Sequence, residues 1–207
     1  MDPAGYPFVI IAAALALIGG VWFGWALAVP LAALSAFFAF FFRDPDRRSP
    51  GGDDRVVLAP ADGRVLVAGV AAGGAAPPGD WRQISIFLSP LNVHVNRMPV
   101  SGRVTRINVI PGRFLPANHR QAAATNERSE IWVDHQGEAI VFRQVVGILA
   151  RRVVCRAKVG NDVHAGDRFG IMKFGSRMDV FVPSSATLTV AVGQMVRGGE
   201  TVIAVLH

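Results

Sequence analysis

The sequence predicts a mainly β domain preceded by an N-terminal hairpin of two hydrophobic helices. The first observation is an uncharged segment that runs from Phe8 to Phe42. The second is the pattern from Arg55 onward, where short alternating or apolar runs are separated by turn residues and no long segment has a 3.6-residue period. The third is an internal repeat near the C-terminus, which indicates that part of the β domain is built from two related units.

The N-terminal segment is predicted to be a membrane anchor covering residues 1–42. Its 35 uncharged positions would make one helix about 50 Å long, whereas the hydrocarbon core of a bilayer is about 30 Å thick. Gly19-Gly20 and Pro30 are expected to break the run. We therefore predict two short membrane segments, about Phe8–Phe23 and Leu27–Phe42, forming a hairpin or one span with a re-entrant piece. A buried soluble hairpin is the alternative, and a cleaved signal peptide fits poorly because no basic residue precedes the run.

Residues 43–54 read as a basic linker. Arg43, Arg47 and Arg48 follow the apolar segment directly, which predicts that this side faces the cytoplasm and meets anionic lipid. The chain from Arg43 onward carries all 21 Lys and Arg and has a formal charge of +7. A basic domain could bind nucleic acid, but beside a membrane anchor a phospholipid surface is the better match. The predicted location is the cell (inner) membrane, with the β domain on its cytoplasmic face.

Residues 55–207 are predicted to form the β domain. The segment Gly69–Gly79 reads as a loop, and the single cysteine, Cys155, excludes an intrachain disulfide and is interpreted as a buried structural thiol. The predicted strands contain Val56–Leu58, Arg64–Val67, Ile84–Leu88, Ile131–Val133, Ala139–Phe142 and Arg152–Cys155.

The internal repeat pairs Val159–Asp167 with Val192–Glu200 at an offset of 33, and both copies read V-G-x-x-V-x-x-G-[D/E]. This pattern resembles the barrel-sandwich scaffold of lipoyl- and biotinyl-carrier domains. In that comparison Ser176 falls near the position of the modified lysine, at a hairpin tip, and the nearest lysine is Lys173. A carrier function is therefore disfavoured, but the scaffold predicts an exposed, tight turn at Gly175-Ser176.

Two polar stretches are candidates for chemistry. The turn Pro60–Gly63 contains Asp62, and the run Leu88–Pro99 places His94 and Arg97 between prolines. Alternation in this run puts His94 and Asn96 on one face of a strand. On local chemistry alone these features read as turns and a structural histidine. The sequence has no spacing typical of a metal site, no P-loop and no GxGxxG.

Taken in order, these stretches resemble the short, membrane-anchored phosphatidylserine decarboxylase proenzymes. The resemblance spans nearly the whole chain, and each motif is weak alone but the ordered set is specific. The matching motifs are Phe42-Arg43-Asp44-Pro45, Ala59-Pro60-Ala61-Asp62-Gly63, Leu88 to Arg97, Asn126-Glu127-Arg128 and Phe174-Gly175-Ser176.

The resemblance implies that the chain cuts itself between Gly175 and Ser176. The Ser176 hydroxyl attacks the Gly175 carbonyl to form an ester, and β-elimination followed by hydrolysis leaves a pyruvoyl group at position 176. The products are a β chain, residues 1–175, and an α chain, residues 176–207, which stay associated. The resemblance assigns His94 as general base and acid and Asp62 as the residue that orients it, as in a Ser-His-Asp set.

The implied reaction is decarboxylation of phosphatidylserine to phosphatidylethanolamine. The pyruvoyl group would form a Schiff base with the serine amine and accept the electrons released with CO₂, so neither a metal nor PLP is required. Arg97, Arg128 and Arg177 are candidates for binding the lipid phosphate. Nucleic acid is not an expected partner, whereas a homo-oligomer is compatible with the sequence.

The sequence departs from the family pattern at two places. Arg97 stands where many relatives have a second histidine, and Phe174-Gly175-Ser176-Arg177 replaces the Leu-Gly-Ser-Thr of longer relatives. One alternative is a non-catalytic, membrane-tethered adaptor with a carrier-like β domain. Another is a membrane serine hydrolase, but the sequence lacks the G-x-S-x-G elbow around Ser176.

Overall fold

The computed structural model describes residues 1–50, 53–71, 74, 76–119, 121–148, 153–173 and 176–207. Phe174 and Gly175 lie outside these residues, so the bond predicted to be cut is only described from its Ser176 side. The chain forms two compact units, Met1–Asp46 and Arg47–His207.

The N-terminal unit is a pair of apolar helices. A 3-10 turn at Pro3–Gly5 leads into helix α1, Tyr6–Phe23, and helix α2 spans Trp25–Phe41. Ser35 donates a hydrogen bond to the carbonyl of Val9 at 3.0 Å, which ties the two helices together. One helix, Pro3–Phe23, is long and apolar enough to cross a membrane, with a mean hydropathy of 2.1. α2 is shorter, so the apolar unit supports membrane association without fixing the number of crossings.

The two helices are interrupted at Gly24, and the breaks predicted at Gly19-Gly20 and Pro30 are wrong. Gly24 has φ 79°, a backbone conformation that favours glycine. Gly19 and Gly20 remain helical, and their lack of a side chain lets α2 approach closely. A Cβ on Gly19 would lie 3.1 Å from Leu27 and one on Gly20 would lie 3.2 Å from Ala28. Pro30 lies inside α2.

The second unit is mainly β, as predicted. Its runs of β-branched and aromatic residues form the strands, and Gly, Pro and Asp residues separate them. β2 extends to Val70, two residues into the predicted loop, and a four-residue helix, α3, spans Ala122–Thr125. The strands are β1 Val56–Leu58, β2 Gly63–Val70, β3 Trp81–Leu88, β4 Val95–Arg97, β5 Gly102–Ile110, β6 Arg128–His135, β7 Glu138–Val145, β8 Val153–Cys155, β9 Asp162–Val163, β10 Arg168–Met172, β11 Ser176–Pro183, β12 Thr187–Leu188, β13 Met195–Val196 and β14 Val202–Val205.

The largest sheet has the order β13-β2-β3-β11-β7-β6-β5-β9, and its strand pairs are antiparallel. β11 lies in the middle, hydrogen-bonded to β3 and β7, with Ser176 opposite Leu88 and Arg177 opposite Val145. Two three-stranded sheets, β1-β14-β12 and β4-β10-β8, complete the described strands. One face of the large sheet supplies the core, which includes Ile84, Ile86, Leu88, Ile131, Phe142, Met178 and Val180.

The repeated sequences form repeated structures. Gly160 and Gly193 have φ of 89° and 91°, and Gly166 and Gly199 have φ of 90° and 76°. Each copy contributes one short strand, β9 or β13, to the large sheet. These matched turns confirm that the internal repeat is structural, while the likeness to carrier domains stays a prediction.

The partners of the two copies also match. β9 pairs with Gly102-Arg103 and β13 with Gly63-Arg64. The stretches that precede these two partner segments are joined to each other by two backbone hydrogen bonds. The Arg97 N–H donates to the carbonyl of Pro60, and the Leu58 N–H donates to the carbonyl of Pro99, both at 2.8 Å. This exchange couples the Asp62 turn to β4, the strand that follows His94.

Gly63 and Gly69 provide a matched test of this packing within β2. A Cβ on Gly63 would lie 2.2 Å from the backbone oxygen of Phe87, whereas one on Gly69 would meet nothing within 4 Å. Gly63→Ala is therefore expected to lower the free energy of unfolding by about 1–3 kcal/mol through overpacking. Gly69→Ala should change it by no more than about 0.5 kcal/mol. Denaturant unfolding of both variants checks this, and equal stabilities would contradict the close approach at Gly63.

Candidate active site

Ser176 is the first residue of the central strand β11. Its side chain is fully buried, and among the described residues its Oγ has no hydrogen-bond partner. The predicted exposure of this residue is therefore wrong, because ladder pairing with Leu88 sets Ser176 inside the sheet. A buried hydroxyl without a partner is costly, so its retention points to a chemical role.

His94 is brought to the same end of the sheet by a compact turn. The Oδ1 of Asn92 accepts hydrogen bonds from the backbone N–H and the hydroxyl of Ser89, at 2.9 and 2.8 Å. This turn carries the chain from Leu88, the ladder partner of Ser176, to His94. The N–H of Met172, at the end of β10, donates to the His94 carbonyl at 3.2 Å. His94 and Ser176 therefore flank the short β10–β11 connection.

A hydrogen bond at Nδ1 fixes the orientation of the His94 ring. Its Nδ1 lies 2.9 Å from the backbone oxygen of Asn92, and the side chain is fully buried. A carbonyl oxygen only accepts, so Nδ1 carries a proton, and in the neutral form of the ring the lone pair is on Nε2. This tautomer is the one a general base requires.

The side-chain amides of Asn96 in β4 and Gln144 in β7 are buried and contact each other. Gln144 Nε2 donates to Asn96 Oδ1 at 2.8 Å, and both residues are fully buried. Gln144 is in register with Met178, two residues beyond Ser176. Within the described chain, Asn96 Nδ2 and Gln144 Oε1 have no partner, which leaves one donor and one acceptor available to a reacting group.

The sequence did not single out Gln144, and Asn96 entered only as a neighbour of His94. The available signal was the strand alternation, which puts Gln144 on the same face as the apolar Ile140 and Phe142. Ser129 lies opposite Gln144 in β6 and is also buried. Together, Ser129, Gln144, Asn96 and Ser176 form a buried polar group inside an otherwise apolar core.

The side chain of Asp62 is hydrogen-bonded to Arg47 and to the backbone of Gly198. Its Oδ2 accepts from Arg47 Nη2 at 2.9 Å and its Oδ1 accepts from the Gly198 N–H at 2.8 Å. Arg47 also bonds Glu200 at 2.9 Å. These bonds brace the second repeat, and the Nδ1 of His94 is held by Asn92 instead. The orienting role expected for Asp62 stays a prediction.

The three arginines predicted to bind phosphate occupy different surroundings. Arg97 is buried and donates to the carbonyl of Gly166 at 3.1 Å, on the opposite side of β4 from Asn96. Arg177 is also buried, and its guanidinium bonds Asp179 at 2.6 Å and Ser85 at 2.7 Å. Both guanidinium groups are thus held by contacts within the fold.

Arg128 is the third arginine, and it begins β6. Its Nη1 donates to the carbonyls of Ala124 and Asn126, at 3.2 and 3.1 Å, and its buried Nε has no partner in the described part of the chain. Burial lowers the pKa of Arg128, and the positive charge of Arg143 adds to this effect. The Nε–H of Arg128 is therefore available to a ligand.

Asn126 shows why the Asn-Glu-Arg stretch folds as it does. Its amide is fully buried, donating to the carbonyls of Leu115 and Val146 and accepting from the N–H of Leu115, all at 2.8–3.0 Å. The side chain thereby joins the loop before α3 to the end of β7 and fixes the start of β6. The motif positions Arg128 through this clamp.

Cys155 and Glu130 also have shifted pKa values. Cys155 is half-buried, not fully buried as predicted, and burial raises the pKa of its thiol. Burial acts to raise the pKa of Glu130, but hydrogen bonds from Trp132 and Arg143 and the charge of Arg143 outweigh burial and lower it. Glu130 thus remains an anion paired with Arg143 on the sheet face opposite Gln144.

Comparison with known proteins decides the family. The family model described as phosphatidylserine decarboxylase matches residues 34–204. The chain belongs to the phosphatidylserine decarboxylase family. This confirms the resemblance, and it disfavours the adaptor because the family is one of carboxy-lyases.

Similar curated proteins carry the name phosphatidylserine decarboxylase proenzyme. The protein from Pelodictyon phaeoclathratiforme is 44% identical over 191 residues, covering 92% of this chain and 89% of the relative. The protein from Chlorobium phaeobacteroides is 47% identical over 170 residues, covering 82% and 79%. That from Paramagnetospirillum magneticum is 42% identical over 210 residues, covering 97% and 84%.

Proposed function

We propose that this protein is a self-cleaving, pyruvoyl-dependent decarboxylase that converts phosphatidylserine to phosphatidylethanolamine and CO₂. The observation that carries the proposal is the fully buried Ser176 hydroxyl, without a partner among the described residues, at the head of the central strand. Family membership and the name proenzyme carried by the relatives support it. A non-catalytic adaptor gives no reason for this buried hydroxyl.

Self-cleavage begins when Ser176 Oγ attacks the carbonyl carbon of Gly175. The Oγ–carbonyl bond forms, the peptide C–N bond breaks, and the Ser176 nitrogen becomes a free amine. Loss of the Ser176 α-proton then breaks the Cβ–Oγ bond, which releases the Gly175 carboxylate and leaves dehydroalanine. Addition of water expels ammonia and leaves an N-terminal pyruvoyl group on the α chain, residues 176–207.

His94 is the general base for the first step. A serine hydroxyl is a weak nucleophile at neutral pH and requires a base. The Asn92 carbonyl holds the proton on Nδ1, so Nε2 takes the proton from Ser176 Oγ. Once protonated, the same Nε2 holds a proton for the departing amine and later for the decarboxylated product.

Asn96 is the donor for the oxyanion that forms on the Gly175 carbonyl. Its Nδ2 is buried without a partner in the described chain, and its Oδ1 is fixed by Gln144. Removing one such donor costs about 10²–10³ in rate. Asn96→Ala is therefore expected to slow self-cleavage about 100-fold, measured as the appearance of the two fragments over time.

Asn118, an exposed residue, offers the matched control, and Asn118→Ala should cleave at the normal rate. Cleavage of Asn96→Ala at the same rate as Asn118→Ala would exclude the oxyanion role.

The surroundings of position 176 fit a small ketone. Ser176 is fully buried, and the polar group that includes it has an amide donor and an amide acceptor without partners among the described residues, Asn96 Nδ2 and Gln144 Oε1. A pyruvoyl group supplies an electron-withdrawing carbonyl that accepts the electron pair released with CO₂. Asn96 and Gln144 orient the polar groups around this carbonyl, and burial of Ser176 keeps bulk water out.

Of Arg97, Arg128 and Arg177, we assign the lipid phosphate to Arg128. Its Nε has no partner in the described residues, whereas Arg177 is held by Asp179 and Ser85 and Arg97 by the carbonyl of Gly166. Guanidinium groups bind phosphate oxygens through paired, charge-assisted hydrogen bonds. The N–H groups of Arg128 therefore match the phosphodiester of the substrate.

Asp62 is a positioning residue for His94 in this mechanism. It fixes the turn whose Pro60 carbonyl accepts from the Arg97 N–H, and β4 in turn carries His94. Asp62→Asn should retain the acceptor for Gly198 and lose the charge opposite Arg47. The pH profile of self-cleavage is expected to be unmoved, with a rate loss of less than about tenfold, since an indirect contact alters only the geometry around His94.

If Asp62 instead contacts His94 directly, the pH profile of self-cleavage should change in Asp62→Asn. A carboxylate against the imidazole would stabilise the charged ring, so loss of the carboxylate would shift the pH profile of self-cleavage to lower pH. Such a shift in Asp62→Asn would establish contact between Asp62 and His94 in the reacting chain. Asp134→Asn, at an exposed position near the end of β6, is the control.

The apolar helices bring the enzyme to a substrate that stays in the bilayer. We place residues 1–42 as the anchor, 43–54 as the linker and 55–207 as the catalytic domain at the cytoplasmic face of the inner membrane. The three arginines after the anchor and the long apolar helix support this placement. The active unit is the associated α and β chains, alone or as a homo-oligomer.

The proposal is tested by a denaturing gel with intact mass measurement on the purified full chain. Two fragments are expected, the smaller containing residues 176–207 with an N-terminus that resists Edman degradation. Phosphatidylserine in mixed micelles should release CO₂ only after the fragments appear. A single full-length chain in an active preparation would falsify the mechanism.

A further inference from the structure

An exposed apolar patch lies at the end of the large sheet where β11 begins with Ser176. It contains Val109 near the end of β5, Phe114 in the loop that follows and Ile148 after β7, which are 72%, 40% and 54% exposed. Apolar side chains that are exposed as a group mark a protein or membrane interaction site, whereas single ones are ordinary. We call these three residues the apolar rim.

The Asn126 side chain brings two of the rim residues together. It bonds the backbone of Leu115, next to Phe114, at 2.8 and 3.0 Å. It also donates to the carbonyl of Val146, two residues before Ile148, at 2.9 Å. A single buried amide thus joins the loop after β5 to the segment after β7, and it holds both rim residues within one compact region.

Val109 connects the rim to the candidate active site through the strand register. It is opposite Ser129 in β6, and Ser129 is opposite Gln144 in β7. Because neighbouring strands are about 4.8 Å apart, the Val109 backbone lies roughly 10 Å from that of Gln144. Gln144 belongs to the buried polar group around Ser176, so the rim borders the site.

The charges around the rim are those that an anionic bilayer attracts. Between Pro111 and His119 the one Lys, Arg, Asp or Glu residue is Arg113, and it is exposed. Glu127, which follows Asn126, is half-buried. Among the described residues, the exposed acids in or next to strands of the large sheet all lie at its opposite end, and they are Asp80, Asp134 and Asp162. Apolar side chains beside a cation and apart from exposed acids match the surface of an anionic membrane.

We propose that the apolar rim inserts into the bilayer surface and sets the Ser176 end of the large sheet against the lipid headgroups. The occupant is the membrane itself, with the three apolar side chains below the headgroups and the Arg113 guanidinium at the level of the lipid phosphates. This inference rests on the decarboxylation proposed above, because a diacyl substrate keeps its chains in the bilayer while its headgroup must reach a buried site. The anchor tethers the chain, and the rim gives the β domain its orientation.

The depth of the rim is measured on the full chain in vesicles of phosphatidylglycerol and phosphatidylcholine. Cys155→Ser removes the native thiol, and the single variants Phe114→Cys and Ile148→Cys then carry an environment-sensitive NBD fluorophore. Quenching by a spin label on the lipid acyl chain reports insertion, and quenching by iodide reports exposure to water. Both rim labels are expected to be quenched by the spin-labelled lipid, with blue-shifted emission, and to lose most of their quenching by iodide.

Val70→Cys and Val159→Cys are the matched controls, since the two valines are 85% and 59% exposed and lie at the other end of the large sheet. Their labels should stay open to iodide and be quenched little by the lipid. Equal quenching at rim and control positions would overturn the proposal. Protection of the rim labels from iodide without quenching by the lipid would also overturn it, because protein, such as a second copy of this chain, would then cover the rim.

Loss of the apolar side chains gives the second measurement. Phe114→Ser/Ile148→Ser should raise the KM for phosphatidylserine in vesicles at least about tenfold, because apolar surface that would enter the bilayer is removed. A short-chain phosphatidylserine dissolved as monomers should be decarboxylated with unchanged kcat/KM. Val70→Ser/Val159→Ser should match the unmodified chain on both substrates. Equal losses on both substrates in the rim variant would mean that the rim acts on the site and not on the membrane, and would overturn the proposal.

The two measurements separate this proposal from the proposed function. Label depth requires no turnover, so it can be read in an inactive chain. An inactive parent chain with an inserted rim would reject only the decarboxylase mechanism. An active parent chain whose rim labels stay open to iodide would reject only the rim.

Discussion

Replacement of Ser176 with alanine is expected to leave the chain in one piece and without decarboxylase activity. Alanine has no oxygen to attack the Gly175 carbonyl, and position 176 cannot then become a pyruvoyl group. Because the Ser176 Oγ has no partner among the described residues, its removal breaks no hydrogen bond there. The variant should therefore fold at least as stably as the uncut parent chain, which thermal unfolding and a denaturing gel will show together.

Ser185 supplies the matched control, since it is an exposed serine in the turn after β11. Ser185→Ala should cleave and release CO₂ at normal rates. Two fragments from Ser176→Ala would mean that another residue or a protease makes the cut.

Replacement of His94 with glutamine is expected to slow self-cleavage by about 10²–10⁴-fold, the usual contribution of general acid–base catalysis. The Nδ1 hydrogen bond to Asn92 presents the Nε2 lone pair, and a glutamine amide is too weakly basic to replace it. The rate is measured from the fraction of cut chain after synthesis in a cell-free system. We expect slow cleavage and not a complete loss of it, because the Ser176 hydroxyl remains in place.

His119, which is exposed, gives the control His119→Gln with a normal rate. Normal cleavage in His94→Gln would remove His94 from the first step. Slow cleavage with full decarboxylation of the chains that are eventually cut would restrict His94 to self-processing.

The β domain was predictable because its signal is local. Strands β1, β3, β6 and β7 contain runs such as Ile84–Leu88 whose composition and alternation identify them without long-range information. The helix interruption was misplaced for a physical reason. Gly19 and Gly20 allow the close approach of α2, and glycine in an apolar helix pair serves packing as readily as it serves a turn.

The site was only partly predictable. Ser176 and His94 lie in motifs with unusual residue order, so the family resemblance identified them. The pairing of Gln144 with Asn96 joins residues 48 positions apart, and no sequence pattern specifies such a contact. The burial of Ser176 was missed because Gly-Ser reads locally as a turn, whereas its exposure is set by pairing with Leu88.

In the proposed mechanism, the pairing of Ser176 with Leu88 also makes self-cleavage a checkpoint on folding. The two residues are 88 positions apart, and their alignment requires the central strand to have entered the sheet, a late and entropically costly contact. A chain that misassembles lacks the geometry for the cut and never acquires its reactive group. After the cut, the same strand belongs to a separate polypeptide, so an unfolded enzyme must find its partner by collision. The mature enzyme is then maintained by slow unfolding, since refolding has lost its intramolecular advantage.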